Sequence, residues 1–156
     1  MRSGVATVVG LLVILACTAC GPDVVYQQRA DFPGAGWAYA DSVDFAFPVT
    51  DTTATYDLVL TVTHGTGFTA QNFYVHLATH LPGGTVLLQP LSLQLADKFG
   101  GWYGDCSADE CETDISIQEG TRFTRTGEHH LVVSQFSRQD PLPEVSALAF
   151  RIIKRE

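Results

Sequence analysis

Basic side chains are scarce in this 156-residue chain, and their scarcity excludes one class of partner. Lys and Arg number 9 against 17 Asp and Glu, which gives a formal net charge of -8. Proteins that bind nucleic acid neutralise its phosphates with clustered Lys and Arg. We therefore expect no nucleic-acid partner. The chain also lacks a basic amphipathic helix that would hold it on a membrane by charge.

The sequence has no apolar run long enough to cross a bilayer. Its longest run of apolar and small residues, 5–16, follows the basic residue Arg2. As a helix of about 12 residues this run would span about 18 Å, against about 30 Å for the hydrocarbon core of a membrane. A buried core helix is the alternative, but the run lies at the extreme N-terminus and is soon followed by Cys20. These features are typical of a signal peptide.

Two of the four cysteines, Cys17 and Cys20, stand where a bacterial lipoprotein signal ends. Lipoprotein processing favours an aliphatic residue three positions before the acylated cysteine and a small residue just before it. Cys17 meets both conditions with Ile14 and Ala16, whereas Cys20 meets only the second with Ala19. The cysteine count favours Cys20, because removal of Cys17 with the signal leaves an even pair in an oxidising compartment.

We therefore predict lipidation of Cys20, with Cys17 as the alternative. Residues 1–19 are assigned to a lipoprotein signal peptide and residues 20–156 to one domain. Acyl chains on either cysteine would anchor the exported protein in a membrane of the cell envelope. The next residue is Gly21 or Thr18 rather than an Asp that retains lipoproteins in the inner membrane, which favours the outer membrane.

After Cys20, apolar and polar residues alternate with period two, and no convincing helix of three turns is present. Turn signals rich in Gly and Pro separate the alternating runs. These runs cover residues 42–49, 57–63, 73–78, 91–96, 114–118, 130–136 and 147–152. Short strands at this spacing predict an all-β fold, a single antiparallel β-sandwich domain that follows the signal peptide.

The remaining cysteines, Cys106 and Cys111, lie in the acidic segment 105–112. A zinc site needs four ligands, and no second cysteine pair is present to complete one. The regular acidic spacing of a calcium loop is also missing. We expect a disulfide that closes an exposed acidic hairpin; half of a zinc site and free thiols are the alternatives.

The histidines do not predict a metal site. His76 and His80 lie on one predicted strand, where a separation of four residues is about 13 Å and too long for one ion. His129 and His130 are adjacent and point to opposite faces of a strand. We expect histidines on the surface and no bound metal.

Catalytic motifs are missing as well. The sequence contains no Gly-x-Ser-x-Gly, no His-Glu-x-x-His and no phosphate-cradling loop. We therefore expect no enzymatic activity and no cofactor.

Three aromatic residues, Trp37, Trp102 and Tyr103, flank Gly-rich turns and form the candidate binding surface. They could stack on sugar rings or anchor a partner protein. The competing interpretation, which we favour, is that they cover the open ends of the sandwich.

Short motifs in a fixed order support a family resemblance that covers nearly the whole chain after Cys20. They include Val25-Tyr26, Asp31-Phe32-Pro33, Trp37, Thr50-Asp51-Thr52, Tyr56-Asp57-Leu58, Asn72-Phe73-Tyr74, Pro82-Gly83-Gly84, Leu95-Ala96-Asp97, Gly101-Trp102-Tyr103-Gly104, Arg122-Phe123 and Leu142-Pro143-Glu144-Val145. In this order they resemble the GldH family of gliding-motility lipoproteins of Bacteroidota. The chain departs from the family in the acidic insert 105–114 and at Phe136-Ser137-Arg138, where relatives tend to show Met-Arg.

The resemblance implies a lipid-anchored envelope protein that is needed for gliding motility. It also implies a role in the assembly or stability of the gliding and type IX secretion machinery, with other gliding or secretion envelope proteins as partners and no known enzymatic activity. The family spacing from the lipidated cysteine to Val25-Tyr26 fits Cys20 better than Cys17. The alternative function is a surface lipoprotein that binds carbohydrate through exposed aromatic residues.

Overall fold

The computed structural model describes residues 21–156, and these residues form nine strands without a helix. The predicted lipidation sites, Cys17 and Cys20, lie outside the described residues. The strands are β1 (Asp23–Asp31), β2 (Val43–Val49), β3 (Tyr56–Gly65), β4 (Asn72–His80), β5 (Val86–Gln94), β6 (Asp105–Cys106), β7 (Glu110–Thr121), β8 (Gly127–Gln135) and β9 (Val145–Lys154). Within this part of the chain, no helix is long and apolar enough to span a membrane.

The strands pair in two antiparallel sheets that pack against each other. One sheet has five strands in the order β1-β9-β3-β7-β6, and the other has four in the order β2-β8-β4-β5. Core residues come from both sheets. The predicted all-β sandwich is therefore confirmed. Because both sheets and their shared core lie within residues 21–156, this segment has what a domain needs to fold by itself.

Strict alternation places one side of each central strand in the core. In β2, Val43, Phe45, Phe47 and Val49 are buried while the residues between them are exposed. Phe150 of β9 lies at the centre, with its ring centroid 5.5 Å from that of Phe45 and 5.6 Å from that of Phe47. Burial of such large side chains is the main favourable contribution to the stability of the sandwich.

The expectation of surface histidines is wrong for His64, which is fully buried, and for His129. His76 and His80 are exposed, but His129 is 1% exposed and stacks on Phe47 with the ring centroids 5.6 Å apart. It faces inward because the core side of β8 consists of His129, Leu131, Val133 and Gln135. Its Nδ1 lies 3.1 Å from the carbonyl oxygen of Gly127, which supplies a polar partner inside the protein.

The sandwich has two ends with different loops. At the N-terminal end, β1 begins at Asp23 opposite Lys154, and the loops 50–55, 81–85 and 122–126 lie there. At the distal end, β1 stops at Asp31 opposite Ala147. The distal end carries loops 32–42, 66–71, 95–104 and 136–144. The 9 residues of β1 span about 30 Å between the two ends.

Candidate functional site

The exposed aromatic side chains of residues 21–156 all lie at the distal end. They are Tyr39, Tyr74, Phe99, Tyr103 and Phe136, which together we call the distal aromatic surface. The large exposed aliphatic residues lie at the other end, at the starts of β1 and β5, and are Val24, Val25, Val86, Leu87 and Leu88. Aromatic residues are enriched in protein interfaces because they offer a large apolar area with few rotatable bonds.

An apolar groove of about 540 Å³ is lined by two members of the distal aromatic surface, Tyr74 and Phe136. It lies between the loop 66–71, the beginning of β4 and the loop after β8. The side chains that line it include Phe68, Phe73, Tyr74, Phe136, Arg138 and Leu142. Phe68 and Phe73 belong to the buried core, so the floor of the groove is rigid, whereas Tyr74 and Phe136 are about half exposed at its rim.

A backbone hydrogen bond and a ring stack fix the position of Phe136. Its N–H donates to the carbonyl oxygen of Tyr74 at 2.7 Å, and its ring stacks on His76 with the centroids 4.1 Å apart. The buried Gln135 donates its side-chain amide to the carbonyl oxygen of Gln139 at 3.0 Å and accepts from the Ser137 N–H at 2.8 Å. This network fixes the loop that presents Phe136.

Tyr39 joins two loops of the distal end. Its backbone N–H donates to the Asp140 carboxylate at 2.8 Å, and its hydroxyl donates to the carbonyl oxygen of Ser137. Both partners lie in the loop between β8 and β9. Tyr39 and Phe136 are therefore presented by two loops that are tied to each other, and such ties lower the entropy cost of ordering side chains in a contact.

Trp37 is not part of an exposed surface, contrary to its place in the candidate set. Its side chain is fully buried; it stacks on Phe32 with the centroids 4.7 Å apart and donates from Nε1 to the carbonyl oxygen of Asp41 at 2.7 Å. The backbones of Trp37 and Leu142 exchange two hydrogen bonds. Gly36 precedes it at φ 134°, and a Cβ there would lie 2.1 Å from the carbonyl oxygen of Leu142. Trp37 therefore closes the core.

The segment 97–104 forms a tight turn whose tip is exposed. The Asp97 carboxylate accepts from the N–H groups of Phe99 and Gly101 at 2.8 and 2.9 Å. Trp102 is partly buried, with its ring centroid 4.6 Å from that of His64. Of the candidate aromatic residues, only Tyr103 is well exposed, at 62%.

Four members of the distal aromatic surface were not among the predicted site residues. They are Tyr39, Tyr74, Phe99 and Phe136. One signal was present: the residues that follow Gln135 differ from those typical of the family. A second signal was the alternation of Tyr74 with the buried Phe73 and Val75 in β4. Exposure of a single aromatic residue in a loop has no sequence signature, so Tyr39 and Phe99 had no signal.

The acidic hairpin of β6 and β7 contains a disulfide. Cys106 and Cys111 are joined and are also cross-strand partners in the hairpin. Cys111 is buried and Cys106 is exposed. The hairpin lies at the distal end, on the edge of the five-stranded sheet. Among the described residues, no group of three or more His, Cys, Asp or Glu side chains is placed to hold a metal ion.

Ion pairs cover the strand ends at the N-terminal side. Asp51 pairs with Lys154 at 3.2 Å and Asp57 with Arg155 at 2.7 Å. Hydrogen bonds from Thr53 are the main reason why the pKa of Asp51 lies below its usual range, and the bond from Arg155 lowers the pKa of Asp57. These shifts come from exposed structural pairs and do not mark a catalytic group.

The imidazole of His130 contacts two carboxylates, those of Asp44 and Glu128. A hydrogen bond to Asp44, with Nδ1 3.0 Å from both carboxylate oxygens, raises its pKa, and the nearby Glu128 adds to the effect. The pair joins neighbouring strands β2 and β8 on the outer face of the four-stranded sheet. It stabilises strand pairing and lies outside the groove.

The fold and the distal groove together define a class: a small β-sandwich with exposed aromatic side chains around an apolar groove at one end. A family model described as GldH lipoprotein matches residues 24–152, and the chain belongs to this family. It is 22% identical to a gliding motility lipoprotein GldH homolog of Christiangramia forsetii over 163 residues, which covers 100% of this chain and 99% of the relative. It is 24% identical to the gliding motility lipoprotein GldH of Flavobacterium johnsoniae over 139 residues, 88% of this chain and 86% of the relative. No solved structure matches.

Proposed function

We propose that this chain is a lipid-anchored protein of the outer membrane that supports gliding motility by binding other envelope proteins. Its role is the assembly or stability of the gliding and type IX secretion machinery. The family membership supports the link to gliding, because both curated relatives carry gliding motility in their names. The partner-binding part of the proposal depends on the geometry of the distal end.

The main support for partner binding is that the exposed aromatic residues lie at the end of the sandwich farthest from the start of β1. An acyl group at Cys20 would hold the N-terminal end near the bilayer. The distal aromatic surface would then stand about 30 Å farther out, where other envelope proteins are accessible. Anchoring in one membrane plane also raises the effective concentration of the surface for partners in that plane.

A protein partner fits this surface better than a carbohydrate. The groove is apolar, and its exposed residues Tyr74 and Phe136 lie beside a floor that includes the buried Phe68 and Phe73. The carbohydrate alternative depended on an exposed Trp37 or Trp102. Trp37 is buried and Trp102 is partly buried against His64, so neither indole is fully exposed as that alternative requires.

The test is crosslinking in the source cells followed by affinity capture and mass spectrometry. The wild-type protein should capture at least one gliding or secretion envelope protein, and the double variant Tyr74→Ala, Phe136→Ala should lose most of it, at least tenfold, because both anchors of the groove are removed. Leu88→Ala is the matched control, since Leu88 is 78% exposed on the same sheet but lies near the other end.

Capture of no such protein by the wild-type chain would contradict the proposal. Equal capture by the double variant would show that the distal groove is not the contact. Retention of residues 21–156 on an envelope polysaccharide, abolished by Tyr103→Ala, would favour the carbohydrate alternative.

A further inference from the structure

The sandwich opens progressively along β5 toward its N-terminal end. The inward-facing residues of β5 are Leu93, Leu91, Gln89 and Leu87, opposite Phe73, Val75, Leu77 and Thr79 of β4. Leu93 is fully buried, Leu91 is partly buried, and Leu87 is 55% exposed. An inward-facing leucine in a closed sandwich would be covered by the opposite sheet. Here Gln89 and Leu87, on the edge strand of the four-stranded sheet, are exposed, so the core is accessible from the side of β5.

The opening leads into a cavity of about 300 Å³ that reaches the centre of the core. Its apolar walls include Phe47, Leu58, Leu87, Phe123, Leu131 and Phe150. Amides and hydroxyls also line it, and these are Thr79, Gln89, Gln118, Thr121 and Thr124. The volume lies at the lower end of the range of small-molecule sites, which are mostly apolar with a few polar groups that orient the ligand.

The charge of this cavity is opposite to that of the chain. The protein carries 17 acidic residues and a net charge of -8, yet no Asp or Glu lines the cavity. Its one permanently charged wall residue is Arg122. Within residues 21–156, no carboxylate lies within ion-pairing distance of Arg122, whereas Arg151 and Arg155 are both paired. A guanidinium beside an apolar cavity matches a ligand that is both anionic and apolar.

Phe123 closes the inner side of the cavity at the N-terminal end. Its ring lies 5.8 Å from that of Phe47 and 5.3 Å from that of His129, measured between centroids. Because Phe123 directly follows Arg122, the loop between β7 and β8 supplies both an apolar wall and a cation. A ligand with its chain against Phe123 and its head at Arg122 would use both.

We propose that this cavity binds a single acyl chain with an anionic head, of the fatty-acid type. The chain enters between β5 and β7, where Leu87 is exposed, and the carboxylate pairs with Arg122. The site lies at the N-terminal end of the sandwich and uses none of the distal aromatic surface. It is therefore independent of the proposed partner binding.

Titration calorimetry of residues 21–156 with dodecanoate tests the proposal, because this segment contains both sheets and the whole core. Binding should be saturable with one site. Arg122→Gln should weaken it about tenfold, since one charge-assisted hydrogen bond is lost. Arg125→Gln is the matched control and should change the affinity less than about twofold, because Arg125 donates to the carbonyl oxygen of Pro82 and does not line the cavity.

Further experiments distinguish binding of dodecanoate inside the cavity from its adsorption to the protein surface. Gln89→Trp places a large ring on the exposed edge strand at the mouth and should abolish dodecanoate binding while leaving the fold intact. Dodecyltrimethylammonium, with the opposite head charge, should bind at least about tenfold more weakly. Amide shifts on adding dodecanoate should be confined to residues near Leu87 and Leu131, with Tyr74 unchanged.

The absence of saturable dodecanoate binding would overturn the proposal, as would equal affinities for Arg122→Gln and Arg125→Gln. Binding to phosphatidylglycerol vesicles without binding to free dodecanoate would show surface attraction in place of an acyl-chain site and would also overturn it.

Discussion

Trp37 and Phe136 are large aromatic residues in loops of the same end of the sandwich, but their contacts give them different roles. Trp37 is enclosed between Phe32 and the edge of Phe73, and its indole N–H has a backbone acceptor. Phe136 has one face on His76 and is 55% exposed. Stability therefore depends on the first residue, and the second is available to a partner.

Replacement of Trp37 by alanine should lower the free energy of unfolding by about 3–5 kcal/mol, because a fully buried indole leaves a cavity in the core. Urea denaturation of residues 21–156 measures this loss. Phe99→Ala is the control; Phe99 is 85% exposed, so its loss should change the free energy by less than about 0.5 kcal/mol. Similar effects of the two substitutions would contradict the assignment of Trp37 to the core.

Among the elements, a strand with clean alternation was predictable together with its buried face, whereas for β8 the sequence predicted a strand but not which face is buried. In β2, apolar residues alternate with Asp44 and Ala46, so both its existence and its buried face follow from the pattern. In β8, three consecutive apolar residues follow two histidines, and hydrophobicity does not decide which face is buried. The packing of His129 against Phe47 and Phe123 decides it, which is a tertiary effect.

Strand β1 was not predicted from the sequence, and the reason is different. It is an edge strand that pairs only with β9, and of its residues only Tyr26 and Ala30 are partly buried. An edge strand with few buried side chains needs little hydrophobicity. The pairing of its backbone with β9 determines its conformation, and this pairing cannot be predicted from the sequence of β1 alone.

The hairpin of β6 and β7 is the element in which a covalent bond contributes most to local order. Strand β6 has 2 residues, and only two residue pairs join it to β7. So short a pairing is marginal by itself. The disulfide between Cys106 and Cys111 closes the loop and thereby holds the edge of the five-stranded sheet.

Reduction of this disulfide should lower the free energy of unfolding by about 2 kcal/mol, as expected from the loop-closure entropy of a small loop. Urea denaturation with and without dithiothreitol measures the difference. In the double variant Cys106→Ser, Cys111→Ala, dithiothreitol should not change the free energy of unfolding. Thiol titration of unfolded, unreduced residues 21–156 should find no free thiol. Two free thiols would contradict the bridge.

On the scale of the whole molecule, the two ends of the sandwich expose different apolar side chains, aromatic at the distal end and aliphatic at the N-terminal end. The described chain begins at Gly21, and β1 starts at Asp23. If Cys20 carries the acyl chains, the four residues from Cys20 to Val24 allow at most about 14 Å of tether. The exposed aliphatic residues and the acyl-chain cavity then lie near the bilayer, and the distal aromatic surface points away from it.

This orientation depends on which cysteine is acylated, and mass spectrometry of the native protein can decide it. We predict that the mature N-terminus is an acylated Cys20. Cys17→Ser should leave this N-terminal peptide and the membrane fraction unchanged, because the residue is removed with the signal. Cys20→Ser should abolish the acylated peptide. If Cys17→Ser abolishes it instead, the anchor is Cys17 and the tether is three residues longer. An unmodified N-terminus that begins at neither cysteine would remove the reason for placing one end of the sandwich at the membrane.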